Sequence, residues 1–191
     1  MLRRIVPFLA FAALAGCATA PPARVSGDFS RALHLCPGMG ISNAPAADSS
    51  RRIVGFDQLI VVRGVMLARA PVEACLSSGY GARNGGAGAF HHGVDLYTGS
   101  PRPVLAAGDG VVVRAGRQNG YGNVVSIRHG AGVETRYAHL SSFASAVSKG
   151  ARVSAGDVIG MTGKTGNATA IHLHYEVIID GKTVNPLTVG Q

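Results

Sequence analysis

The sequence predicts an all-β, antiparallel single domain, and three observations carry that reading. The 191 residues include 27 glycines and no tryptophan, a composition suited to short strands joined by tight turns. Apolar residues recur in short runs bounded by glycine, with period-two alternation in places and almost no helical periodicity. The length holds one core and some tail, since single domains cluster near about 100 to 150 residues.

The elements follow in chain order. Residues 1–16 read as a secretion signal, with basic Arg3 and Arg4 followed by an apolar stretch from Ile5 to Leu14. That stretch falls short of the roughly 20 apolar residues a membrane span needs. It ends in Leu14-Ala15-Gly16-Cys17, which resembles the bacterial lipobox; the resemblance implies that Cys17 is lipidated and becomes the new N-terminus. With Ala18 after it, the same resemblance implies an outer-membrane anchor facing the periplasm. Residues 17–52, rich in Ala, Pro, Ser and Gly, read as a flexible lipidated linker, with His34 inside it. The packed domain is expected over 53–191. Leu59-Ile60-Val61-Val62 and Val65-Met66-Leu67 look like strands split at Gly64. Further β-rich runs span Gly110 to Arg114, Asn123 to Arg128, Glu134 to His139, Val158 to Met161 and His172 to Ile179. Ala107-Gly108-Asp109 recurs as Ala155-Gly156-Asp157, each ahead of a strand, which reads as shared turn chemistry or as two related hairpin units.

With Cys17 set aside, Cys36 and Cys75 remain, an even number in a compartment that permits oxidation, and a disulfide between them is expected. The formal charge is +8, and +6 once Arg3 and Arg4 leave with the signal, so anionic partners are favoured. Export from the cytoplasm and the lack of basic-aromatic interleaving exclude nucleic acid as the expected partner.

Histidines form two clusters and a satellite. In His91-His92-Gly93-Val94-Asp95 the first histidine and the aspartate are four apart, and on extended backbone an even separation brings both to one side. In His172-Leu173-His174-Tyr175-Glu176-Val177 the alternation is clean: Leu173, Tyr175 and Val177 face one way, His172, His174 and Glu176 the other. Two histidines and one aspartate would leave zinc an open fourth position, as catalytic zinc requires.

Together these segments resemble the lysostaphin-type zinc endopeptidases of bacterial cell walls. The match runs from Ser78-Gly79-Tyr80-Gly81-Ala82-Arg83 through His91-x-Gly93-Val94-Asp95, Tyr137-Ala138-His139-Leu140 and Gly160-x-Thr162-Gly163-x-Thr165-Gly166 to His172-Leu173-His174, within a motif-bearing part at about 77–188. The resemblance implies that His91, Asp95 and His174 ligate one Zn2+ per chain and that His139 and His172 are the catalytic histidines. Glu176 matches a position that is not a ligand in the family and receives no catalytic role. His92 falls at a variable, solvent-facing position, and His129 sits at a turn before Gly130. The expected activity is hydrolysis of peptide cross-links or stem peptides in peptidoglycan, with zinc activating water and the two histidines moving protons. Which of His139 and His172 is base and which acid stays open, as does a protein activator.

The chain departs from the family pattern at Ala170-Ile171, where many members have Gly-Pro, at Ala89, where a basic residue is frequent, and at Gly85, where glycine-cleaving members carry tyrosine. The last departure favours direct cross-links or stem peptides over polyglycine bridges. Two other classes compete. A catalytically silent wall-binding or hydrolase-activating module of the same fold would lack ligands, and all five site residues are present. A lipoyl- or biotinyl-like carrier needs a lysine at a hairpin tip, and Lys164 stands in the wrong context for that.

Overall fold

The computed structural model describes residues 27–83 and 90–190; Cys17, Gly85 and Ala89 lie outside the described residues. No helix occurs among them, and the chain is built from short antiparallel strands. Leu59–Val62 (β1) and Val65–Ala68 (β2) form a hairpin around Arg63 and Gly64, whose φ values of 52° and 79° are what a two-residue type I′ turn demands. Cys75–Ser78 (β3), Gly81–Ala82 (β4), Phe90–His91 (β5), Val94–Tyr97 (β6) and Pro103–Leu105 (β7) follow. Three long strands come next: Gly110–Gln118 (β8), Gly122–Gly130 (β9) and Val133–Leu140 (β10). Ser142–Phe143 (β11), Arg152–Val153 (β12), Val158–Met161 (β13), His172–Ile179 (β14) and Lys182–Val184 (β15) complete the order.

The main sheet runs β12-β8-β9-β10-β14-β6-β3, and β15 pairs with the far end of β14 beside β6. β14 is therefore covered on both edges. Its alternation decides the two faces of the sheet: Leu173, Tyr175 and Val177 enter the core, while His172, His174 and Glu176 turn to the opposite face. Each such apolar side chain contributes about 1.5–3 kcal/mol by leaving water. The two core tyrosines, with ring centroids 5.4 Å apart, keep their hydroxyls satisfied: Tyr175 donates to the Ala68 carbonyl at 3.0 Å, and Tyr137 accepts from the Ala107 amide at 2.8 Å. The small sheet β11-β13-β7 adds Val104 and Ile159 to the same core.

The stretch expected as linker up to residue 52 differs from that expectation. From Gly27 onward it lies against the domain: Leu33 and Cys36 are fully buried, Leu35 bridges to Leu76 on β3, and the Ile53 amide donates to the Leu33 carbonyl. An island of apolar residues at 33–36 supplies a buried contact within a polar, proline-containing context. Cys36 and Cys75 are disulfide-bonded, which fixes this strap to β3.

Candidate metal centre

Pairing of β6 with β14 sets His174 directly opposite Asp95. Close approach of the two strands depends on Gly93, where a Cβ would stand 2.3 Å from the Tyr175 carbonyl oxygen. His91 and Asp95 do not share one extended segment, as the even spacing suggests; His91 ends β5, the chain bends at Gly93, and Asp95 lies on β6. The bend brings them together all the same. His91 Nε2 is 3.0 Å and His174 Nδ1 2.9 Å from Asp95 Oδ1, and the two nitrogens are 3.1 Å apart. His172 Nε2 is 3.6 Å from the same oxygen.

His139 reaches the cleft by an irregularity. Strand alternation from buried Tyr137 would aim it into the core, but the β9–β10 register shifts between Tyr137 and Leu140, and His139 adopts a left-handed φ of 63°. Its amide donates to the Tyr121 carbonyl at 2.9 Å, which holds the bulge. The His139 ring ends 4.8 Å from that of His172 and 5.8 Å from that of His174, centroid to centroid.

Each of the four imidazoles has one nitrogen committed to a fixed acceptor. His91 Nδ1 lies 2.7 Å from the Gly79 carbonyl, His139 Nδ1 2.8 Å from that of Thr165, and His172 Nδ1 2.9 Å from that of Ala170. His174 Nε2 instead meets a carboxylate, Glu176 Oε1, at 3.0 Å. Donation to these oxygens fixes the orientation of each ring and turns its second nitrogen to the cleft.

Sequence reasoning gave Glu176 no role, yet it is fully buried beside His174, held by Tyr121 Oη at 2.8 Å and by Arg136 Nη1 at 2.8 Å. The outer oxygen of Asp95 is likewise tied, by Arg83 Nη2 at 3.3 Å. Arg136 and Tyr121 come from β10 and the turn before β9, so only the sheet register could have revealed them. The signal available in sequence was an acidic residue on the histidine face of β14.

The electrostatics favour a cation. Burial pushes the Asp95 carboxyl up, but hydrogen bonds from His174 and His91 outweigh it and hold the group far below the usual carboxylate range. Burial pushes His174 down, and Asp95 and Glu176 more than reverse this, raising it to about 9. Burial, helped by the charge of His172, lowers His139 to about 4, so its imidazole is neutral at neutral pH.

His91, Asp95 and His174 form a three-ligand group whose donor atoms lie within 4.8 Å of one another. Their separations of 2.9–3.1 Å approach the edge of a tetrahedron around zinc, about 3.3 Å for bonds of ~2.0 Å. Two imidazoles and one carboxylate with fixed orientations suit that ion. The cleft above them, about 690 Å³, is walled by Arg83, Phe90, Tyr121, His139, Asn167 and His172 among others, and no described residue of the N-terminal strap lines it.

The model of peptidase family M23 matches residues 89–186. DD-carboxypeptidase/endopeptidase Mpg of Neisseria meningitidis is 50% identical over 101 residues, 53% of this chain and 23% of that protein. Peptidoglycan DD-endopeptidase ShyA of Vibrio cholerae is 45% identical over 97 residues, 51% of this chain and 22% of that protein. The chain thus spans less than a quarter of the length of these relatives. Among solved structures, a zinc-containing peptidase from Vibrio cholerae superposes with a TM-score of 0.56 at 29% identity, over 70% of this chain and 39% of that one. The catalytic domain of lysostaphin from Staphylococcus simulans does so with a TM-score of 0.52 at 36% identity, over 56% of this chain and 85% of that one.

Proposed function

The chain belongs to peptidase family M23, and from that premise we propose that it is a zinc-dependent endopeptidase cutting peptide cross-links or stem peptides of bacterial peptidoglycan, such as a bond between D-alanine and a diamino acid. One observation carries the reading: the imidazoles of His91, His139, His172 and His174 converge with Asp95 on a single cleft, and each of these four rings has one nitrogen already committed elsewhere.

In this reading His91, Asp95 and His174 hold zinc, which supplies activation of water and polarisation of the scissile carbonyl. The protein's own groups do the rest. Carbonyls of Gly79 and the carboxylate of Glu176 orient the two ligand rings. His139, neutral at neutral pH, can accept a proton at Nε2 because Nδ1 donates to Thr165. His172, anchored through Nδ1 at Ala170, presents Nε2 3.6 Å from Asp95 Oδ1 and can donate to the developing oxyanion or the leaving amine. This division of labour gives His139 the base and His172 the acid.

The relative named as a peptidoglycan DD-endopeptidase supports the substrate class. Export and lipidation at Cys17, with an outer-membrane location, belong to the same proposal and rest on the lipobox-like Leu14-Ala15-Gly16-Cys17. The test is digestion of purified, cross-linked peptidoglycan with fragments identified by mass, alongside zinc stoichiometry. His91→Ala, Asp95→Ala and His174→Ala are expected to lose both metal and activity. His139→Ala and His172→Ala are expected to keep the metal and lose about a hundred- to ten-thousand-fold in rate. Cleavage at wild-type rate by all five variants would end this reading.

A further inference from the structure

His139 owes its place to a left-handed backbone, φ 63°, which a residue other than glycine keeps only where its surroundings over-determine it. Two residues outside the cleft do so. Asn123 Nδ2 donates to the Leu140 carbonyl at 3.0 Å, and Thr165 Oγ1 donates to the same oxygen at 2.9 Å. That carbonyl belongs to the residue directly after His139. The Asn123 amide donates in turn to Thr165 Oγ1 at 2.9 Å, which closes a ring of three hydrogen bonds across the bulge between β9 and β10. Thr165 acts a second time through its main chain, because its carbonyl accepts from His139 Nδ1 at 2.8 Å. With the His139 amide held by Tyr121, the histidine is fixed before its Cα, after it and at its ring.

The ring of bonds forms because the turn before β9 and the loop after β13 press together at two glycines. A Cβ on Gly122, whose φ is 68°, would stand 2.3 Å from Thr165 Oγ1, and one on Gly166, whose φ is 70°, 2.4 Å from the Gly120 carbonyl oxygen. The Asn167 amide donates to that same Gly120 carbonyl at 2.9 Å and joins loop to turn. Neither Asn123 nor Thr165 lines the metal cleft. Their side-chain bonds run to each other and to Leu140, so what they do for the cleft passes through His139.

We propose that Asn123 and Thr165 are positioning residues that set His139 for proton transfer, and that turnover depends on them through that one ring. The inference rests on the peptidase reading above and adds to it the residues that hold its base.

The experiment assays the full-length protein, loaded with zinc, on a soluble cross-linked stem-peptide dimer. Thr165→Val keeps the carbonyl for His139 and removes the hydroxyl; Asn123→Ala removes only the side-chain amide. Each is expected to lower kcat about ten- to a hundredfold, the cost of a slightly misplaced catalytic group, while KM and zinc content stay at wild-type values. Thr165→Ser, which restores the hydroxyl, is expected to keep most of the wild-type kcat. Both losses are then measured again in His139→Ala. Groups that act as a unit do not add, so the further loss there is expected to stay within about twofold, whereas a merely structural role costs the same in both backgrounds. If Thr165→Val does not fold, Asn123→Ala, which leaves every main-chain bond in place, decides the outcome. Wild-type kcat in the single variants, or an undiminished loss in the His139→Ala background, overturns the proposal and leaves the peptidase reading standing. Failure of the wild type to cut either the dimer or intact peptidoglycan overturns both.

Discussion

Two residues that differ by a single intervening leucine carry different second partners, and that difference sorts their chemistry. His172 donates to a neutral carbonyl, His174 to the buried carboxylate of Glu176. A carboxylate behind an imidazole raises its basicity and its affinity for a cation, whereas a carbonyl only orients the ring. Glu176→Gln keeps an acceptor for His174 and removes the charge, so zinc affinity is expected to fall about ten- to a hundredfold with the fold intact. Competition against a chromophoric chelator measures it, and an unchanged affinity would remove Glu176 from the site. The pH dependence follows from the raised His174. A metal ligand must be deprotonated, and a group raised to about 9 still holds its proton at pH 6 to 8, where a metal has to displace it. Apparent zinc affinity is therefore expected to rise by about tenfold per pH unit between pH 6 and 8, with a proton released on binding. A flat profile over that interval would contradict the assignment.

At the scale of elements, the centre exists because two strands approach unusually closely and a third breaks its own alternation. Gly93→Ala places a Cβ 2.3 Å from the Tyr175 carbonyl and 3.0 Å from His174 Cε1. The backbone contact cannot give way by rotating a side chain, so β6 must move from β14 and carry Asp95 away from His174. A loss of about 1–3 kcal/mol is expected, together with most of the bound zinc. Urea denaturation and elemental analysis check both, and a stable, zinc-replete variant would show that the strands tolerate separation. The alternation along 172–177 was legible because it needs only one strand's own sequence. The position of His139 was not, because its inward or outward aim is set by a register shift against β9. Arg136 and Tyr121 escaped for the same reason, since they meet Glu176 only once the sheet is paired. The strap at 33–36 was hidden by composition: Leu33, Leu35 and Cys36 are few, and the surrounding Ala, Pro and Ser dominate any window average.

For the whole molecule, the strap that begins at Gly27 and its disulfide connect to the metal centre through Gly79. The Ser42 carbonyl accepts from the Gly79 amide at 2.8 Å, and Gly79 in turn orients His91 through its own carbonyl. Bridging Cys36 to Cys75 closes a loop of 39 residues, worth about 4 kcal/mol in the chain-entropy account. Cys36→Ser with Cys75→Ser is expected to lose about that much stability by urea denaturation, and to weaken zinc binding through the freed strap. Beyond the strap, Gly27 donates to the Gly156 carbonyl at 3.0 Å, and no described strap residue lines the cleft. Nine residues lie between Cys17 and Gly27, and the ten steps they make reach at most about 35 Å. If Cys17 carries the lipid, the domain works within that distance of the membrane and meets cell-wall polymer only there. Cys17→Ser is then expected to move the protein from the membrane to the soluble fraction while leaving its rate on purified peptidoglycan unchanged, because neither Cys17 nor the lipid touches the site. Fractionation with a membrane-marker control reads the first effect and fragment release the second. A variant that stays with the membrane would place the anchor elsewhere in the chain, and one that leaves it but loses activity in solution would show that the N-terminal segment contributes to the cleft after all.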